Sequence, residues 1–172
     1  FEEGAVIGGT SAGAAVMSNA MLTGRGRRLK GPEAAELRKI ARGMSDVSLG
    51  FGFFPGAIVD QHFMQRARYI RLFSAVLDHP QLLGVGIDEE TALLVRPDGV
   101  WEVLGSHYVK IFDARRARII EDEDALAGVT VGIRVFQEVE QVATLDVEDD
   151  LLKPIPRSAL SFAFFASSQS KN

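Results

Sequence analysis

GAVIGGTSAGAAVMSNA, residues 4–20, is the stretch that decides the fold: an apolar run from Gly4 to Gly8 stops at glycines, and small residues from Ala12 to Ala20 follow. An apolar run cut off by glycine reads as a buried strand, and a run of small residues reads as a helix packed closely against a sheet. The junction, Gly9-Thr10-Ser11-Ala12-Gly13, is a G-x-S-x-G sequence at the turn between them. In that setting a serine sits on a cramped backbone corner, needs small neighbours, and projects its hydroxyl above the sheet edge. The helix that follows aims its free N–H groups at the same spot, and the Ala12 N–H is the obvious donor to a developing oxyanion. A glycine-rich turn that merely lets a helix pack closely is the plainer alternative.

Working outward, Gly24 to Lys30 is glycine-rich and basic, and Pro32 opens a helical segment, PEAAELRKIAR, at a position where proline is tolerated. Residues 43–56 read as an ordered loop. A strand at Ala57–Asp60 leads into a helix beginning near Phe63, with Phe63, Ala67, Ile70, Phe73 and Leu77 on one stripe, ending before His79-Pro80. LLGVGI, residues 82–87, fits a central parallel strand buried on both faces. In TALLVRPDGVWEVLGSHYVKIFD, residues 91–113, Pro97-Asp98-Gly99 supplies a hairpin turn, so the pattern passes there from α/β to antiparallel. VTVGIRVFQEVE, residues 129–140, is a last strand candidate after the acidic Glu121–Asp124. SALSFAFFASSQSKN, residues 158–172, reads equally as an edge strand, a contact with chain beyond these residues, or a loose tail. Residues 1–145 are therefore expected to form one α/β domain and residues 146–172 an extension.

The chain has 172 residues, 47% hydrophobic and 24% charged, the arithmetic of one globular domain. With no cysteine there is no disulfide framework, thiolate zinc site or cysteine nucleophile. The net charge of -4 argues against a nucleic-acid binder, and no apolar run approaches the roughly 20 residues that span a bilayer. No metal or cofactor is called for. The first residue is Phe1, and FEEGAVIGG already approaches a strand, so the residues are expected to begin inside a larger polypeptide. A cytoplasmic location is expected, with a leader upstream an open alternative.

A serine nucleophile needs a base, and the base needs an orienting acid. Of three histidines, His79 lies at a helix end and His107 within an antiparallel segment. His62 lies at the C-terminal end of a strand, the edge where open α/β sheets place their chemistry. For the acid, the buried strand ends in Asp88, Glu89 and Glu90; strand alternation puts Glu89 on the face opposite the other two, so only part of the cluster can meet His62. Two arrangements remain open at this point, one through His62 and one through His107.

The words GGTSAGAAVMS, LGFGFFPGAIVDQHFMQRARYIRL and LLGVGIDEETALLV, spread over residues 5–95 with weaker agreement to about 140, resemble the cyanophycinase family of serine peptidases, which includes the more distant peptidase E group. The resemblance implies a class I glutamine amidotransferase-like α/β fold: a mostly parallel sheet flanked by helices, with antiparallel C-terminal strands. Family members carry several βα units ahead of the nucleophile strand, which are missing here, so a missing N-terminal segment or a partner chain is expected to complete the sheet. The resemblance further implies Ser11 as nucleophile, His62 as general base and Glu89 as acid, with Asp60, Gln61, Arg66, Arg68 and Arg71 in the same signature as substrate-binding or supporting residues. The implied reaction is hydrolysis of cyanophycin, a poly-aspartate chain bearing arginine on each β-carboxyl, to β-Asp-Arg dipeptides. Peptidase E relatives instead cut short aspartyl peptides, and a non-catalytic assembly module is a third expectation. Family members are often homodimers. Because Arg66 falls within the apolar stripe of a helix started at Phe63, it is expected to pair with a buried carboxylate, either Asp60 or one of residues 88–90, or with substrate, while Arg68 and Arg71 lie outside the stripe.

Overall fold

The computed structural model describes residues 5–24, 40, 42–97, 99–122, 125–129, 131–137, 141–142 and 161–166. The opening strand β1 (Val6–Thr10) runs into the short helix α1 (Ala12–Val16) across Ser11. The close approach depends on Gly9: a Cβ there would lie 2.2 Å from the Gly13 carbonyl oxygen and 2.8 Å from Met17 Sδ. The helix stops well short of Ala20. Ser18 bridges to Phe54, and β2 (Ala20–Leu22) then pairs antiparallel with β3 (Val47–Leu49), so sheet pairing claims residues whose small side chains suit a helix equally well. The loop expected at 43–56 therefore contains a strand, and the helix expected from Pro32 lies outside the described residues except at Ile40 and Arg42.

The centre of the molecule is β4 (Ala57–Gln61) and β5 (Leu83–Ile87), parallel partners whose every residue is buried. Between them α2 (Tyr69–Asp78) makes the crossover, with Leu72, Ala75, Val76 and Leu77 buried. The helix lies close to β5 because Gly84 has no side chain; a Cβ there would meet Val76 Cγ2 at 2.5 Å. Helix α2 begins at Tyr69, six residues later than Phe63. The intervening segment is a series of turns, with His62 (φ 51°) and Ala67 (φ 49°) in the left-handed region that interrupts helical winding.

Strand β5 pairs antiparallel with β8 (Tyr108–Asp113), and β8 with β11 (Gly132–Gln137), giving the order β11-β8-β5-β4. A second sheet contains β1, β6 (Thr91–Val95), β7 (Trp101–Gly105), β12 (Gln141–Val142) and β13 (Ser161–Ala166), in the order β1-β13-β6-β7-β12. The β6–β7 hairpin closes as its Pro-Asp-Gly turn predicts, with Gly99 at φ 85°. A further antiparallel pair, β9 (Arg118–Asp122) with β10 (Ala125–Val129), takes in Glu121 and Asp122 of the acidic stretch expected only to precede a strand.

Val59, Val85, Ile87, Leu93, Val103, Val109 and Ile111 form one core between the two sheets, joined by Ala14 and Met17 from the region of α1. Ile58, Phe63 and Phe112 form a second core under α2. The fold is mixed α/β. Among the named strands parallel pairing is confined to β4–β5 and β1–β13, and antiparallel pairs predominate. Residues 161–166 are an interior strand, parallel to β1 and antiparallel to β6, where the sequence offered an edge, a contact or a tail.

Candidate active site

Ser11 stands on the corner between β1 and α1 with φ 53° and ψ -117°. A non-glycine residue held there costs about 1–3 kcal/mol, sustained only where surrounding structure enforces it. Its neighbour Ala12 opens α1, and the first N–H groups of a helix have no partner within it. Of the two glycines in G-x-S-x-G, only Gly9 is sterically required, since a Cβ on Gly13 would meet nothing within 4 Å.

Because β4 and β5 are parallel, their C-terminal ends share one edge, where the residue after β4 meets Ser11 and the turn after β5 meets that residue in turn. Ser11 Oγ lies 2.8 Å from His62 Nε2, and His62 Nδ1 lies 2.7 Å from Glu89 Oε1. His62 is 1% exposed, while the Glu89 side chain is 19% exposed. A carboxylate on Nδ1 selects the tautomer with the proton on that nitrogen, leaving Nε2 to accept the serine proton. Ser11, His62 and Glu89 thus form one hydrogen-bonded line leading from hydroxyl to carboxylate. His107 lies in the turn between β7 and β8, donates its backbone N–H to Thr91 Oγ1, and is not the side-chain partner of Ser11. His79 caps the end of α2.

The three acids part company by a turn rather than by strand alternation, because β5 ends at Ile87. Asp88 is buried against Lys110, Glu89 reaches His62, and Glu90 is exposed at φ 54°. The turn is braced from several sides. Glu89 N donates to Gln65 Oε1, Thr91 Oγ1 donates to the Glu89 carbonyl, and Ser106 N donates to the Glu90 carbonyl. Gly105, at φ 111°, lets the Glu90 carbonyl approach where a Cβ would collide at 2.1 Å.

One residue before Gln61, Asp60 is fully buried and collects the arginines. Its Oδ1 accepts from Arg68 Nη1 at 2.8 Å, Arg71 Nη2 at 2.8 Å and Gln61 N at 2.9 Å, and its Oδ2 from Arg71 Nε at 3.0 Å. Arg68 also donates to the Gln61 carbonyl at 2.7 Å, which ties the end of β4 to the start of α2. Burial lowers the Arg68 pKa, Asp60 opposes the shift, and Arg71 and Arg66 add to it. Gln61 Oε1 is buried and has no partner among the described residues.

Arg66 corrects the expectation built on the stripe: it is exposed, and the buried carboxylate belongs to Arg68 and Arg71. The cause is the late start of α2. Residues 63–67 are not on its helical wheel, and Arg68 and Arg71, three apart at its first turn, share the face over Asp60.

Asp88 enters the sequence reading only as one of three candidate acids, and its partner Lys110 does not enter it at all, although a lysine within YVKIF, residues 108–112, is the visible signal that a charge enters an apolar strand. Among the described residues no group of three or more metal-ligating side chains is gathered, and no helix is long and apolar enough to cross a membrane.

The model of peptidase family S51 matches residues 1–103, which include every residue of the hydrogen-bonded line. The chain belongs to peptidase family S51. This S51 chain is 43% identical over 115 residues to a cyanophycinase of Synechococcus elongatus, covering 67% of the chain and 33% of that protein. It is 43% identical over 109 residues to a cyanophycinase of Geminocystis herdmanii (63% and 37% covered) and 45% identical over 107 residues to one of Trichormus variabilis (62% and 33% covered). The chain spans about a third of the length of these curated relatives.

Proposed function

We propose that this S51 chain carries the nucleophile, base and acid of a serine-type exopeptidase that hydrolyses cyanophycin to β-Asp-Arg dipeptides. The observation that carries the reading is the continuous pair of hydrogen bonds, 2.8 Å from Ser11 to His62 and 2.7 Å from His62 to Glu89. Likeness to proteins named cyanophycinase supports the choice of substrate.

In the proposed reaction Ser11 Oγ attacks the scissile carbonyl carbon while His62 Nε2 takes the hydroxyl proton. The Ala12 N–H stabilises the oxyanion of the tetrahedral intermediate. The intermediate collapses, the carbon–nitrogen bond breaks, and the leaving amine takes the proton from His62. Water then attacks the acyl ester with His62 again as base, releasing the carboxylate product and restoring Ser11. Glu89 holds the imidazole in its working tautomer and stabilises the imidazolium formed at each step.

Within this proposal the arginines divide. Arg68 and Arg71, committed to Asp60, support the strand end that carries His62. Arg66 is exposed and its backbone N–H donates to the His62 carbonyl at 3.1 Å, so among the described residues its guanidinium is available beside the base for a substrate carboxylate. Gln61, with its unpartnered oxygen, is the corresponding acceptor for substrate N–H groups. A class I glutamine amidotransferase-like arrangement and a cytoplasmic setting belong to the same proposal.

The test is labelling by a fluorophosphonate together with release of β-Asp-Arg from the polymer. Ser11→Ala is expected to abolish both. Full turnover by the Ser11→Ala variant would reject the mechanism, and faster cleavage of short aspartyl peptides than of polymer would reassign the substrate.

A further inference from the structure

The carboxylate of Asp88 meets three segments of the chain at once. Its Oδ1 accepts from Met64 N at 3.1 Å, and its Oδ2 accepts from Lys110 Nζ at 2.8 Å and Tyr108 N at 3.3 Å. Met64 is two residues beyond His62, and Asp88 itself immediately precedes Glu89. Both partners of the ion pair are buried, Asp88 at 1% exposure and Lys110 at 6%, and the ammonium is flanked by the rings of Phe63 and Tyr108 at 5.9 and 5.1 Å. Such a pair is poor value as a source of stability, because apolar residues of similar volume commonly do as well.

Its location suggests a different use. Beyond the ends of β4 and β5 the chain leaves regular structure, and His62 (φ 51°) and Glu90 (φ 54°) hold backbone conformations that relax unless restrained. Apart from the contact between the His62 and Glu89 side chains, these two departing segments are joined by Phe63 N to the Ile87 carbonyl, Glu89 N to Gln65 Oε1, and Met64 N to Asp88. Only the last uses a buried charged group. We propose that Asp88, clamped by Lys110, is the positioning residue that keeps His62 and Glu89 at hydrogen-bonding distance; this rests on the catalytic reading of Ser11, His62 and Glu89.

The experiment compares the rate and the final stoichiometry of Ser11 labelling by a fluorophosphonate in the complete protein that contains these residues. Asp88→Asn alone strands a buried lysine and risks unfolding, so the deciding variant is Asp88→Asn with Lys110→Met, which removes both charges together. Stoichiometry counts correctly folded molecules, whereas rate reports the alignment within each one. The expected result is unchanged stoichiometry with labelling about 10–100-fold slower, the scale of a misplacement of about 1 Å. An unchanged rate, whether at full or at reduced stoichiometry, overturns the proposal and leaves Asp88 a purely structural residue. Failure of the unsubstituted complete protein to label at Ser11 overturns the catalytic reading itself, and the positioning role falls with it.

Discussion

Asp60→Asn is the sharpest probe of how the strand end that carries His62 is supported. The carboxylate is fully buried and accepts three hydrogen bonds from two guanidiniums and one from Gln61 N. Asparagine keeps the shape, removes the charge, and turns an amide N–H₂ toward at least one arginine. Removing one partner from a buried ion pair costs about 3–5 kcal/mol, chiefly by stranding the other charge. Here the side chains of Arg68 and Arg71 are 13% and 25% exposed, and Arg68 keeps the Gln61 carbonyl, so water and backbone recover part of the loss. The expected cost is about 3 kcal/mol, which for a chain of this size corresponds to a fall of roughly 6–12 °C in Tm. Circular dichroism during heating measures it, with urea unfolding as a second estimate. Arg66→Gln is the internal control and should leave the midpoint unchanged. An Asp60→Asn midpoint within about 1 °C of the unsubstituted chain would refute the reasoning, as would an Arg66→Gln loss of equal size.

Glu89→Gln should slow fluorophosphonate labelling by about 10²–10⁴-fold, because a neutral amide no longer selects the histidine tautomer or stabilises the imidazolium; labelling at the original rate would remove Glu89 from the site. Within G-x-S-x-G the two glycines should behave oppositely. Gly9→Ala drives a Cβ into the Gly13 carbonyl and should lower Tm and labelling together, whereas Gly13→Ala, with open space at its Cβ, should raise helix stability by about 0.5–1 kcal/mol. Burial, and then the nearby Asp88 charge, raise the Tyr69 pKa above 10.0, so its neutral form is favoured by folding. The stability linked to it is complete below 10.0, the ordinary tyrosine value, and is lost as the pH rises through the higher folded value. An ultraviolet difference titration against Tyr69→Phe should show that late ionisation.

Legibility followed the range of the interactions involved. The run LLGVGI announced a strand buried on both faces, and it is β5, because apolar residues on both sides of a strand leave few other solutions. The Pro-Asp-Gly turn announced the β6–β7 hairpin through local dihedral preference alone. The strand at 161–166 was beyond such reasoning: its partners are β1 and β6, more than 60 residues away in either case, and nothing in SFAFFA specifies them. Arg66 shows a subtler limit. A helix started at Phe63 sets its phase in the sequence, and two left-handed residues, His62 and Ala67, displace the start of the helix and with it the identity of every face. The acids at 88–90 were legible as a cluster at the right sheet edge, but which of them reaches the histidine depends on a turn whose bracing comes from β7 and β8.

The line from hydroxyl to carboxylate crosses between two sheets. Ser11 follows β1, paired to β13 in the five-stranded sheet, whereas His62 and Glu89 follow β4 and β5 in the four-stranded one. No backbone ladder joins β1 to β4 among the described residues. What holds them together is the seam at α1: Val59 N donates to Ser18 Oγ at 3.2 Å, Phe54 N to the Met17 carbonyl at 2.9 Å, and Phe51 N to the Val16 carbonyl at 2.7 Å. Ala14, Met17, Phe54, Ala57 and Val59 close the same seam with apolar contact. Strand β1 itself is at least partly exposed along its whole length, so its own burial contributes little to fixing the serine. The 2.8 Å contact between Ser11 and His62 therefore depends on α1, and the small residues that follow the serine are needed twice: they let the helix reach its strand, and they let it lie against β4 closely enough for a hydroxyl on one sheet to meet an imidazole on the other.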